Sequence, residues 1–395
     1  MSSGIEGTRV LALGSGVTVL GVLRALSRSE VEVFALPDAD RATRRSRWYR
    51  SAPGEMAAMR PERLVELLRL LPTGTVLMPC SDLWAGTVSA LEPGIFQSYP
   101  ASVPPLSAIQ VLVDKSSFRG TLARLGLAHP ETHVMTSLAD LDSVGDRILQ
   151  SSFLKPAHSQ QFFAHFGVKA FRVSGREDAR RRLGECISAG FQMMVQEYIP
   201  GPPTNHYFVD GFVDQGGVIR ALFGRRRLRM SPPDFGNSTY QISVPLAETG
   251  DAVQTLRTLL GELEYRGIFS AEFKKDARDG KFNLIEVNAR PWWYVDFAAR
   301  CGVNVCEMAI RDALDLPVPT IDSYAVGRRS VYPYYDLQAV RDERAAGKMD
   351  LLSWAASWLG PYQPVFRWSD PLPAIGEVAL LIRQRVAKLG RGARS

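Results

Sequence analysis

At 395 residues the chain is too long for one ordinary core, so two or three packed units are expected. Apolar residues at 46% and charged residues at 22% fit a globular protein, and no run of about 18 apolar residues is present to span a membrane. The net charge of +6 suits an anionic small ligand such as a nucleotide, and the basic clusters lack any nucleic-acid-binding motif, so no nucleic-acid partner is expected.

The N-terminus has no basic stretch ahead of its apolar residues and reads as the lead into a first strand rather than a signal peptide. Residues 9–13 (RVLAL) form that strand, and GSGVTVLG opens an apolar helix. VEVFAL at 31–36 is a second strand, RPERLVELLRLL a helix, and TVLMPC at 75–80 a third strand. This alternation is the rhythm of a parallel α/β domain, so residues 1–105 are expected to be a small Rossmann-like unit. The proline-rich SYPASVPPLS is a linker.

From residue 106 the pattern becomes α+β. A helix capped by Asp114 is followed by a strand in HPETHVM, a helix in SLADLDSVGDRI and a strand in SFLKPA. REDARRRLGECISAG is a helix stopped by its glycine, and MMVQEYIPG is a strand. Residues 106–200 form one unit on this reading. Residues 201–325 form the next, with a hairpin turning at DQGG, the helix AVQTLRTLLGELEY, and a second hairpin in which GIFSAEFKKD and KFNLIEVNA are joined by ARDG. Residues 326–395 are expected to be a helical extension. Near its end Ile375, Val378, Ile382, Val386 and Leu389 recur at helical spacing among basic residues, which we read as a helix docked on its own chain or on the mate of a homodimer, in preference to a membrane surface.

The cysteines Cys80, Cys186, Cys301 and Cys306 are scattered, without metal-ligand spacing, and read as free thiols of a reducing cytoplasm. Gly14, Gly16 and Gly21 follow a strand, but their spacing is not the dinucleotide fingerprint, and no acidic residue closes the second strand. They are read as a tight turn whose helix N-terminus is free to hold an anionic part of a substrate. Lys155 ends an apolar strand and Lys115 opens a helix, where each must reach water or an anion. In VQEYIPG the strand carrying Gln196 and Glu197 runs into Tyr198 and Ile199, a segment suited to offering backbone groups to an adenine edge and a carboxylate to a ribose. The most informative pair is AEFKKD and LIEVNARPW. Alternation puts Glu286 and Asn288 on one strand face, and hairpin pairing brings Glu272 to it; three such oxygen donors suit a hard cation. Arg290 is one further step along the same alternation.

In their order, DK (114–115), FLKP (153–156), VQEYIPG (195–201), SAEFKKD (270–276) and LIEVNARPW (284–292) resemble the ATP-grasp superfamily over residues 9–320. The pattern is most similar to carboxylate–amine ligases of the D-aspartate ligase type, and more distantly to biotin carboxylase and carbamoyl-phosphate synthetase domains. The resemblance implies a pre-ATP-grasp domain followed by an ATP-grasp fold of two α+β subdomains, the first of them a lid. It implies that ATP phosphates meet Lys115, Lys155 and Lys169, and that Gln196, Glu197, Tyr198 and Ile199 line the adenine and ribose. Glu272, Glu286 and Asn288 would hold magnesium, or manganese in its place, and Arg290 the transferred phosphoryl group or acyl intermediate. In GRRRLRMSPPDFG, Arg227 and Arg229 are candidate phosphate or carboxylate contacts, with Arg229, Lys155 and Arg290 as the catalytic set. The implied reaction joins a small carboxylate to an amine, possibly amino acids, through an acyl phosphate. An ATP-dependent carboxylase and a nucleotide-binding protein without catalysis are the alternatives. The stretch AHSQQFFAHFG departs from the glycine-rich phosphate loop of biotin carboxylases; it is read as a lid from Pro156 to Gly167 in which His158, Ser159 or Gln160 substitutes.

Overall fold

The computed structural model describes residues 4–54, 60–156, 159–232, 236–345 and 350–378. Three sheets organise them. In the first, β1 (Arg9–Leu13), β2 (Glu32–Ala35) and β3 (Val76–Pro79) are parallel in the order β2-β1-β3. The second is antiparallel, with β4 (Thr132–Met135), β5 (Ser152–Pro156), β6 (Phe171–Val173) and β7 (Met193–Glu197) in the order β4-β7-β5-β6. The third has six strands in the order β12-β11-β8-β9-β10-β13. They are β8 (His206–Val213), β9 (Ile219–Ser231), β10 (Asn237–Ser243), β11 (Gly267–Lys275), β12 (Phe282–Asn288) and β13 (Arg329–Val331).

Local chemistry explains most of these elements. Asp114 caps the helix Lys115–Arg124 by accepting from the Ser117 amide at 2.7 Å, as its position in the sequence suggests. The expected helix in SLADLDSVGDRI is instead a 3-10 turn, Leu138–Ser143, and a single helical turn, Asp146–Leu149. Asp140 turns its carboxylate back onto the Thr136 and Ser137 amides and so caps the start of the first turn. The glycine-poor stretch after Lys155 also differs from a phosphate loop. Ser159–Phe166 is helical, with Phe162 fully buried among Phe166, Phe171 and Phe191. His158 lies outside the described residues.

The first glycine turn has a structural purpose. The Gly16 amide, at the start of the helix Gly16–Ala25, donates to Asp40 Oδ2 at 2.8 Å, and Asp40 also accepts from the Ala42 and Thr43 amides. That helix terminus, expected to be open to an anion, is already occupied by the chain's own carboxylate. A Cβ on Gly21 would lie 3.0 Å from Val295 Cγ1, so glycine permits the helix to pack closely on the helix Val295–Arg300.

The segment after residue 326 is tied into both ends of the molecule. Strand β13 pairs with β10, so the extension adds one strand to the sheet before its helices. Beyond it, the helix Pro333–Ala345 supplies Asp336, which is buried against β9 and β10. Residues 372–378 are helical, and Ile382, Val386 and Leu389 of the proposed docking stripe lie outside the described residues. At the other end, the fully buried Arg24 donates to Asp370 Oδ2 from Nε at 3.2 Å and from Nη2 at 3.0 Å. Its Nη1 and Nη2 also donate to the carbonyls of Pro364 and Val365. Arg24→Leu therefore leaves Asp370 buried without its cation, and should destabilise the protein by about 3–5 kcal/mol in urea unfolding. A change of less than about 1 kcal/mol would show that this pair does not anchor the extension.

Candidate functional site

The hairpin of β11 and β12 places the central carboxylates. Glu272 pairs directly with Glu286, and Ser270 with Asn288, before the register shifts between Glu272 and Phe273. Alternation therefore carries Glu272, Glu286 and Asn288 to one face, as the sequence suggests. Beyond the shift the face is rephased, with Phe273 opposite Leu284 and both fully buried.

Three cavities meet at this face, and Glu286 lines all of them. One, of about 200 Å³, lies between the second and third sheets and is bordered by Lys155, Lys169, Gln196, Glu197, Tyr198, Ile199, Arg227 and Glu272. A second, of about 210 Å³, brings Lys115, Lys155 and Gln196 against Glu286 and Asn288. A third, of about 140 Å³, joins Arg227, Glu272, Asn288 and Arg290. Arg229 borders none of the three. It forms a buried bidentate pair with Asp336, at 2.9 and 2.7 Å, and stacks over Tyr240 at 4.1 Å. Arg225, Arg227 and Arg229 alternate along β9, but the helix carrying Asp336 covers the last of them, so a structural role replaces the contact expected there.

The electrostatics of the face are uneven. Burial alone would raise the Glu272 pKa, but Arg227 Nη2 at 3.0 Å and His206 Nδ1 at 2.7 Å oppose it and hold the carboxyl at about 2. Burial and the Arg227 charge push His206 down to about 4. His206 is therefore neutral near pH 7, with its proton on Nδ1 facing Glu272 and a buried Nε2 that has no hydrogen-bond partner. Opposite, burial and the neighbouring Lys155 bring Lys115 down to about 8, against the pull of Glu286. Burial and the Arg227 charge lower Lys169 too. Crowded cations facing carboxylates across these cavities suit a polyanion accompanied by a metal ion.

The donor set bears on which ion fits. Among the described residues no three His, Cys, Asp or Glu side chains cluster as a metal site. Two carboxylates and the amide oxygen of Asn288 form a partial set, fitted to a hard cation that takes its other ligands from phosphate and water. Asn288 Oδ1 accepts from Arg290 Nη2 at 3.0 Å, and Asn288 Nδ2 donates to Glu286 at 3.3 Å.

The strand carrying Gln196 and Glu197 is held from outside the motif. Gln196 donates to Thr132 Oγ1 at 3.1 Å, Glu197 accepts from Arg278 at 2.7 Å, and strand pairing ends at Glu197. Arg172 and Lys274 each lie 4.5 Å from the Tyr198 ring, and Ile199 is buried. Sequence reasoning missed His206, Lys274, Arg278 and Asp82. Asp82 Oδ2 accepts from Arg290 Nε at 3.2 Å. It follows the C-terminal end of β3, the edge of a parallel sheet where ligands gather, and that placement is a signal the sequence does contain.

A family model described as "ATP-grasp in the biosynthetic pathway with Ter operon" matches residues 191–331. The D-aspartate ligase of Enterococcus faecium (strain Aus0004) is 25% identical over 246 residues, covering 60% of this chain and 58% of that enzyme, so the match spans less than two thirds of the relative. The L-amino acid ligase of Bacillus licheniformis superposes with a TM-score of 0.57 at 16% identity, covering 78% of this chain and 74% of that one. A carboxyaminoimidazole ribonucleotide synthase from Aspergillus clavatus, complexed with ATP, gives 0.61 at 17% identity over 86% of each chain. With its sheets and carboxylate hairpin in this arrangement, the chain has the ATP-grasp fold, and its residues 191–331 match an ATP-grasp family model.

Proposed function

We propose that the protein uses ATP to activate a small carboxylic acid as an acyl phosphate and joins it to an amine, releasing ADP and phosphate. The observation that carries this reading is the register of Glu272 opposite Glu286, with Lys115, Lys155 and Lys169 facing them across cavities that converge on Glu286. The likeness of the chain to a D-aspartate ligase supports the amine acceptor.

In this reading the triphosphate lies along the lysines, with Gln196 to Ile199 at the base and ribose, and the second sheet acts as a lid over them. Glu272, Glu286 and Asn288 would hold magnesium, whose positive charge offsets that of the phosphates. The substrate carboxylate oxygen bonds to the γ-phosphorus as the bond from that phosphorus to the ADP oxygen breaks. The amine nitrogen then bonds to the acyl carbon, loses a proton, and phosphate leaves with the former carboxylate oxygen. No nucleophile of the protein's own is required, so positioning and charge dominate. Arg290 projects a planar fork beside Asn288, suited to pairing two oxygens of the acid or the transferred phosphoryl. Among the described residues no helix is long and apolar enough to cross a membrane, and the four cysteines are buried and free, which suits the cytoplasmic placement we propose.

A panel of amino acids, offered as acids and as amines, should reveal a pair that drives ADP release and an amide detectable by mass spectrometry. Hydroxylamine in place of the amine should give the hydroxamate of the same acid; release of AMP and pyrophosphate would contradict the acyl phosphate. Glu286 is exposed in the site, so Glu286→Gln should fold normally and lose about 100-fold or more in kcat/KM. Wild-type turnover in that variant would remove the metal assignment. Arg290→Lys keeps the charge without the fork and should lower kcat about tenfold or more while changing ATP affinity less than about threefold. Equal losses in both would make Arg290 a nucleotide contact instead.

A further inference from the structure

The reading above leaves the acceptor unassigned. An amine nucleophile reaches the site from water as an ammonium ion, so its entry point needs a carboxylate close to the reacting groups. Several carboxylates near the face are already committed to cations of the sheet. Glu272 is held by Arg227 and His206, Asp210 by Arg225 at 2.6 Å, and Asp336 by Arg229. Asp82 differs from these three. It comes from the parallel domain, keeps 33% side-chain exposure, and touches Arg290 through Oδ2 alone at 3.2 Å, among the contacts described. It also borders the cavity of about 210 Å³ that ends at Glu286 and Asn288, and the larger groove of about 930 Å³ that opens beside Lys115. Leu112, Phe118 and Leu122 form an apolar part of the smaller cavity, which Arg119, His129 and Thr132 also line.

We propose that Asp82 receives the ammonium group of the acceptor, and that the acceptor is a primary amine with an apolar body lying against Leu112, Phe118 and Leu122. The proposal rests on the ligase reading for its chemistry, but the binding site stands on this geometry. Arg290 provides the coupling. Once a phosphoryl or acyl phosphate group draws its guanidinium, Asp82 loses its partner and turns to the ammonium, so the amine is held most tightly when the acid is activated. Asp82 forms no covalent bond to substrate; it pairs with the cation, which gives up one proton to water to become the nucleophilic amine, and the nitrogen sheds a second proton as the amide forms and phosphate leaves.

The test uses isoamylamine as the probe and isoamyl alcohol as its uncharged counterpart, titrated calorimetrically into the full chain with magnesium, ADP and saturating inorganic phosphate present, so that an anion draws Arg290 from Asp82. Wild type should bind the amine and discriminate against the alcohol, and Asp82→Asn should weaken the amine about tenfold or more, the scale of one charge-assisted contact. Equal amine binding by both proteins, or none by wild type, overturns the proposal. With an acid that supports ADP release, the ratio of amide to hydroxamate formation separates the roles, because hydroxylamine is uncharged near neutral pH. Asp82→Asn should lower that ratio about tenfold or more. An equal fall in both products would mean that Asp82 only positions Arg290, and would overturn the assignment. If no acid releases ADP, the ligase reading fails while the calorimetric arm still decides on Asp82.

Discussion

Two carboxylates directly opposed across a pair of antiparallel strands repel each other, and the rest of the site is arranged around that cost. Glu272 and Glu286 occupy this position. The strain is answered asymmetrically. Glu272 is drawn inward by the buried Arg227 and by a His206 kept neutral, so it is ionised but locally compensated. Glu286 stays exposed at the junction of the cavities, facing the lysines. One acid is thus fixed by Arg227 and the neutral His206, and the other stays exposed at the cavities. A metal ion held by Glu272 and Glu286 would relieve the repulsion.

The surrounding architecture serves to hold this hairpin still. Its strands form one edge of the six-stranded sheet, and the chain leaving β12 runs through Arg290, Trp292 and Trp293 into a helix packed tightly on the first helix of the parallel domain. Trp293 stacks on Tyr335 from the C-terminal extension at 5.8 Å and 28°. The Asp370 carboxylate of that extension is buried on Arg24, and its Asp336 on Arg229. These buried pairs tie the parallel domain, the six-stranded sheet and the extension to one another, so residues far from the cavities set where Arg290 and the aromatic wall stand.

Much of this was legible in the sequence where the signal is local. The alternation of AEFKKD and LIEVNARPW, with a turn at ARDG, carries the pairing of Glu272 with Glu286, and the alternating strands and helices of the first hundred residues carry the parallel sheet. What escaped depends on distant partners. Arg229 looks like its neighbours Arg225 and Arg227 in sequence, and only Asp336, 107 residues away, turns it from the site into the core. Asp82 meets Arg290 across 208 residues. The free helix terminus at Gly16 was filled by Asp40, and the stretch after Lys155 folded as a helix because Phe162 and Phe166 fall on one face and reach an aromatic core.

In the proposed reaction a substrate carboxylate attacks the γ-phosphorus of ATP at the face bearing Glu272 and Glu286. It can be read from a single atom. When the acid carries heavy oxygen in its carboxylate, the account predicts that complete turnover transfers one labelled oxygen to inorganic phosphate and releases unlabelled ADP. Phosphate emerging without label, with the heavy oxygen kept in the product or in AMP, would contradict it.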